Sequence, residues 1–148
     1  MRNSLQRLTY LSHATSDLSP VALRRILERA AVRNEHNRIT GLLVVCEGSI
    51  VQILEGLREN VEATFARIEQ DPRHKGIIRL PLVAIEKRDF TDWKMAFHTP
   101  DAAEIERLSP GFSRVLENPQ RFVDDLETLS RHTQVILRSY ARTVRMLP

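Results

Sequence analysis

Ser49-Ile50-Val51-Gln52-Ile53-Leu54-Glu55-Gly56 has the make-up of a buried strand, apart from one uncharged amide at its centre. Burying Gln52 costs free energy unless both its carbonyl and its NH2 are paired. Either backbone groups supply those partners, as they do for most core amides, or a bound ligand does. Upstream, Ile39 to Val45 predicts a second strand, joined to Ser49 to Leu54 through Cys46-Glu47-Gly48, where glycine can take the positive φ of a hairpin turn. Leu5 to Ser12 predicts the first strand, with Leu8, Tyr10 and Ser12 on one face and Thr9 and Leu11 on the other.

Between these strands, Ser19-Pro20 reads as an N-cap followed by proline at the first helical position. Leu23, Ile26, Leu27 and Ala30 then recur at helical spacing. Val61, Thr64, Phe65 and Ile68 mark a second helix, which Asp71-Pro72 should stop. Ile77 to Ile85 is strand-like, and Trp93 to His98 predicts a shorter strand. The order βαββαββ defines an α+β, ferredoxin-like sandwich with both helices on one sheet face. The other face needs a cover. A helix capped by Asn118-Pro119, with Phe122, Leu126, Leu129, Ile136 and Tyr140 on one side, is expected to supply it.

The 148 residues suit a single chain able to bury a core without a staple. One cysteine, Cys46, excludes an internal disulfide, and beside Glu47 it reads as a small hydrophobe rather than a nucleophile. With no signal-peptide core and no membrane-length apolar run, a soluble cytoplasmic protein is expected. The net charge of +3 permits an acidic partner without demanding one. From Ser130 to Pro148 the chain has Arg131, Arg138, Arg142 and Arg145 and no acid, a solvated basic face or a contact surface.

His13, His36, His74, His98 and His132 are scattered without metal-ligand spacing, so no metal site is expected. A G-x-S-x-G elbow and a P-loop are both missing. Gly41 to Leu54 has no aromatic residue, which argues against RNA stacking on the sheet and against direct nucleic-acid binding. A polar set is left: Tyr10, Ser12, Arg33, Asn34, Gln52, Arg73, His74, Trp93 and Met95. Each has an ordinary explanation alone, but together they could surround a flat ligand rich in donors and acceptors.

Arg7-Leu8-Thr9-Tyr10-Leu11-Ser12, Arg33-Asn34 with Ile39-Thr40-Gly41-Leu42-Leu43, Val51 to Gly56, Asp71-Pro72-Arg73-His74 and Arg88 to Met95 resemble, in order and spacing, the BLUF family of blue-light receptors using flavin. The resemblance implies a noncovalent flavin, FAD with FMN or riboflavin possible, between the two helices. It makes Tyr10 the photochemical electron and proton donor and Gln52 the amide between Tyr10 and the flavin N5/C4=O edge. It puts Asn34 at C4=O/N3 and Ser12 behind Tyr10. Arg33, Asp71, Arg73 and His74 fall on the helix side of the ring, with Ile26, Leu27 and Ile50 among its walls. Trp93 and Met95 match the pair linked to signalling. Ile50 stands where phenylalanine is frequent, and few members have arginine at the position of Arg33.

In that reading, light leaves Gln52 rotated or tautomerised, with a stronger hydrogen bond to C4=O and a small red shift. Residues 1–98 would be the flavin-binding domain and 99–148 a helical extension packed on the sheet, as in short members with no attached effector. A non-enzymatic, homo-oligomeric photoreceptor acting on an unidentified downstream protein is expected. The competing readings are a small flavin-dependent reductase, which lacks a glycine-rich dinucleotide fingerprint here, and a light-independent interaction module.

Overall fold

The computed structural model describes residues 4–15, 20–46, 48–90, 93–98 and 129–143. The elements in chain order are β1 (Leu5–Ala14), α1 (Pro20–His36), β2 (Thr40–Cys46), β3 (Ser49–Leu57), α2 (Arg58–Glu69), β4 (His74–Arg79), β5 (Val83–Ala84), β6 (Trp93–His98) and α3 (Arg131–Thr143). The sheet order is β4-β1-β3-β2-β6, with β5 also pairing β1. Among the described residues only β2 and β6 run parallel; the other pairings are antiparallel. This is the expected α+β, ferredoxin-like arrangement.

Alternation along the central strands sorts the core into two layers. Leu8, Tyr10, Leu43, Val45, Ile50 and Leu54 pack with Val61 and Phe65 of α2, and Ala30 of α1 leans on the same cluster. Leu42, Val44, Val51 and Ile53 point the other way and meet Phe90 with Leu137, Tyr140 and Ala141 of α3. The hydroxyl of Tyr140 ties α3 to the β2–β3 turn by donating to Ser49 O at 2.7 Å. In that turn Gly48 has φ 88°. Gly56 is needed for a different reason: a Cβ there would lie 2.8 Å from Ile39 Cδ1 and 3.2 Å from Arg38 O.

Three expectations need correction. The single strand over Ile77 to Ile85 is two, His74–Arg79 and Val83–Ala84. Pro81 has no N–H for a ladder, and the last sheet bond before it is Leu80 N to Thr9 O at 2.9 Å. The helix begun at Pro119 does not run unbroken to Tyr140, because Leu129 and Ser130 are not helical and α3 starts at Arg131. Phe122, Leu126, the Asn118-Pro119 cap, Ser19 and Arg145 lie outside the described residues, as do the side chains of Leu23 and Cys46. Arg138 is half-buried, and its Nε is enclosed without a hydrogen-bond partner among the described residues, so it is no part of an open basic face. Arg131 and Arg142 are exposed.

The α3 side of the sheet contains a buried charge cluster. Arg7 Nε and Nη2 each lie 2.9 Å from Glu55 Oε2, and Nη2 lies 2.7 Å from Asp89 Oδ2. Their side chains are 4%, 0% and 6% exposed, respectively. Such groups are tolerated inside only when every lone pair finds a donor. Glu55 also accepts from the backbone N–H of Asp89 (3.1 Å) and Phe90 (2.8 Å). Asp89 accepts from Ser130 N (2.9 Å), Ser130 Oγ (2.7 Å) and Thr133 Oγ1 (2.6 Å). A carboxylate forty residues upstream thus gathers the first turn of α3.

Burial alone would raise the Asp89 pKa, but hydrogen bonds from Thr133 and Ser130, with the attraction of Arg7, outweigh it and hold the carboxyl below its ordinary value. A depressed carboxyl stabilises the fold above its unfolded pKa of about 3.9 and loses that contribution as pH falls through the folded value. Replacing Asp89 with alanine should cost about 3–5 kcal/mol by leaving a buried Arg7 valence and the α3 donors unpaired. Urea denaturation at neutral pH measures this. The gap between parent and variant should close in acid, where the parent loses the same charge.

Candidate functional site

On the opposite sheet face, between α1 and α2, lies a cavity of about 200 Å³. That is more than ten times the space one water needs. Tyr10 and Gln52 are directly opposed in the β1–β3 register and both point into this layer. The Tyr10 hydroxyl donates to Gln52 Oε1 in a buried hydrogen bond. Gln52 Nε2 has no hydrogen-bond partner among the described residues.

Asn34 reaches the same space because of how α1 ends. Arg38 adopts φ 53°, Arg38 N bonds Glu35 O at 3.2 Å, and Ile39 N bonds Asn34 O at 2.8 Å. This is a Schellman closure with arginine in the left-handed position usually given to glycine. It occupies the backbone carbonyl of Asn34 and leaves the buried side-chain amide facing the cavity, without a partner among the described residues. Two buried amides on one cavity thus present donor and acceptor valences that a ligand edge can satisfy.

The wall behind Tyr10 is built by His74. Its Nε2 lies 2.7 Å from Ile68 O and its Nδ1 2.9 Å from Ser12 Oγ. A carbonyl can only accept, so Nε2 carries a proton and donates to Ile68 O, while Nδ1 shares a hydrogen bond with the Ser12 hydroxyl. This joins the end of α2 to β1. The Tyr10 ring packs against Phe65 at 5.5 Å between centroids and against His74 at 6.0 Å. Burial, with a smaller push from the charge of Asp71, raises the Tyr10 phenol far above its ordinary pKa of 10. Asp71 is itself engaged: Arg73 Nε donates to its carboxylate at 2.8 and 3.0 Å and holds its pKa down, against the effect of burial.

Of the residues singled out in the sequence, Tyr10, Ile26, Arg33, Asn34, Ile50, Gln52, Asp71, Arg73 and His74 line the cavity. Ser12 does not line it and instead supports His74 from behind. The side chains of Leu27, Trp93 and Met95 lie outside the described residues; the backbones of Trp93 and Met95 pair with Gly41 and Leu43. Arg29, Thr64 and Arg67 also line the cavity and were not anticipated. Thr64 had a signal, a hydroxyl inside an apolar helical stripe, and its Oγ1 is buried without a partner among the described residues. Arg29 had one too, four residues before Arg33 on α1. Among the described residues no group of three or more His, Cys, Asp or Glu could hold a metal, and no helix is long and apolar enough to cross a membrane.

A sheet with two helices enclosing a cavity, floored by a hydrogen-bonded tyrosine–glutamine pair, defines a small-ligand-binding module of the ferredoxin-like class. Residues 5–96 match the family described as sensors of blue-light using FAD, BLUF, and the chain belongs to that family. It is 32% identical over 133 residues to photoactivated adenylate cyclase subunit beta of Euglena gracilis, covering 89% of this chain but 15% of that protein. The chain therefore spans under a fifth of the length of that relative. Among solved structures it resembles BlrB, a BLUF protein in its dark state, with a TM-score of 0.61, 33% identity and coverage of 86% of this chain and 96% of that one. It also resembles Klebsiella pneumoniae BlrP1 with FMN and cyclic diGMP, at a TM-score of 0.57, 28% identity and coverage of 84% and 34%. The protein is a blue-light receptor module of the flavin-binding type.

The raised phenol gives a direct check. An acid whose folded pKa is raised stabilises the fold below its unfolded pKa and loses that contribution as pH rises through the folded value. Tyr10 should stay protonated at about pH 11, a unit above the ordinary tyrosine value. Subtracting the phenolate absorbance of a Tyr10→Phe variant from that of the folded parent isolates this residue. No difference should appear until alkaline unfolding.

Proposed function

We propose that Tyr10 and Gln52 are the photochemical pair of this receptor and that Asn34 fixes the ligand edge against them. The observation that supports this most is the buried Tyr10–Gln52 hydrogen bond opening, through an unpartnered Gln52 Nε2, onto a cavity that also receives Asn34. A flavin bound there and excited by blue light supplies a strong oxidant. Tyr10, protonated at neutral pH as any phenol is, has a phenolic proton to release along with an electron, and its burial extends that state into alkali. Gln52 relays the proton because an amide accepts at Oε1 and donates at Nε2. When Tyr10 recovers electron and proton, the amide is left rearranged, with an altered hydrogen bond to the ligand carbonyl. Ile26, Ala30, Leu43, Val45 and Ile68 give this space its apolar walls.

FAD is the cofactor that the family description favours, and FMN is supported by the likeness to BlrP1. In this reading residues 1–98 sense light and residues 99–148 carry output to a partner or effector, without catalysis by this chain. Trp93 and Met95 suit that route because β6 pairs with β2, whose other neighbour bears Gln52. A rearranged amide at Gln52 then biases the β2–β6 edge.

The purified protein should be yellow and should show a reversible red shift under blue light. Tyr10→Phe and Gln52→Leu should each retain the ligand and lose the shift, read by dark and light absorption spectra. Asn34→Ala should weaken binding by about 1–3 kcal/mol for the group left unpaired, measured by titration with FAD. An unchanged photocycle in either of the first two variants would reassign the pair.

A further inference from the structure

The lining of the cavity changes character from floor to rim. Tyr10, Asn34, Leu43, Val45, Ile50 and Gln52 are buried, whereas Arg29, Arg33 and Arg67 are exposed. Arg29 and Arg33 are one helical turn apart on α1, so they stand side by side. Arg67 reaches the same cavity from the last turn of α2. Like charges at i, i+4 repel, so the stability of α1 does not favour this pair. None of the three has an ion pair among the described residues, whereas Arg73, the fourth arginine of the lining, is taken by Asp71. Three guanidinium groups with no ion pair among the described residues therefore border the cavity.

Resting on the flavin reading above, we infer that this rim is a phosphate site and that the chain selects phosphorylated flavins, FMN and FAD, over riboflavin. The unpaired amides lie with the buried residues, so the ring enters there and the ribityl tail leaves past the exposed arginines. A guanidinium offers a planar fork of donors that matches phosphate oxygens bidentately, and it stays charged at any working pH. The end of riboflavin is a neutral hydroxyl and gains nothing comparable. The rim is open to water, so the added attraction is screened by salt.

Titrating ligand-free, full-length protein in the dark with riboflavin, FMN and FAD, followed by quenching of flavin fluorescence, tests this. FMN and FAD should bind at least about tenfold more tightly than riboflavin at low salt, with the advantage shrinking as salt is raised. In the double variant Arg29→Gln, Arg67→Gln, the affinity for FMN should fall to near that for riboflavin. Riboflavin affinity and the bound absorption spectrum should stay as in the parent, which also shows that the variant is folded. Equal affinity of the parent for riboflavin and FMN overturns the inference, as does a phosphate advantage that survives in the double variant. The arginines would then serve another acid, such as the carboxylates of a partner protein. If none of the three flavins binds, the flavin reading fails and takes this inference with it; riboflavin binding without selectivity overturns the inference alone.

Discussion

The buried pairing of Arg7 with Glu55 is the constraint from which the rest of the structure follows. The two residues face each other across β1 and β3, and the same register puts Tyr10 opposite Gln52 three positions further on. Three is an odd step, so the ion pair and the tyrosine–glutamine pair emerge on opposite faces of one sheet. A slip by one residue would move Tyr10 to the α3 side and leave Arg7 buried without its carboxylate. Apolar residues on both faces would tolerate such a slip better than a buried charge does. The salt bridge adds less to stability than to uniqueness, because its desolvation offsets much of its attraction.

The cavity side of the sheet is assembled from backbone closures as much as from side chains. The Schellman turn at Arg38 consumes the Asn34 backbone carbonyl at the end of α1, where the Asn34 side chain lines the cavity. His74 bridges Ile68 O and Ser12 Oγ, which fixes the distance between α2 and β1 where Tyr10 sits. Arg88 donates to Arg38 O from the far side, so the turn that closes α1 after Asn34 is itself held by the segment leading to β6. Asn34, the end of α1 and the segment leading to β6 are thus bonded to one another through few intermediaries.

Much of this was legible in the sequence. Alternation placed Leu8, Tyr10 and Ser12 on one face, and the lone amide at Gln52 announced a polar function inside a strand. The charged cluster was not legible, since Arg7, Glu55 and Asp89 are distant in sequence and any one of them alone reads as a surface residue. Pro81 did carry a signal against a continuous strand, but the apolar residues around it outweighed it. The start of α3 was hidden for a related reason: its gathering carboxylate is Asp89, not a neighbour, so Ser130 gave only half of the cap. Arg67 escaped notice because an exposed arginine on a helix is ordinary until the fold shows what lies beneath it, and the spacing of Arg29 to Arg33 means something only once both are seen to line one cavity.

The segment from Ile85 to Phe90 connects β5, beside β1, to β6, on the far edge beside β2. It is bonded along its way to Leu5 O (3.0 Å), Glu55 O (2.7 Å), Thr40 Oγ1 (2.8 Å) and Arg38 O (3.0 Å), and its amides end on the Glu55 carboxylate. Irregular in shape, it is a cross-tie whose length is set by the width of the sheet. Variation among related chains should therefore avoid insertions there and collect at the β2–β3 turn, where nothing lies within 4 Å of a Cβ built on Gly48, although its φ of 88° keeps that one position for glycine. Two connections that look equally loop-like are, in their capacity to accept new sequence, at opposite extremes.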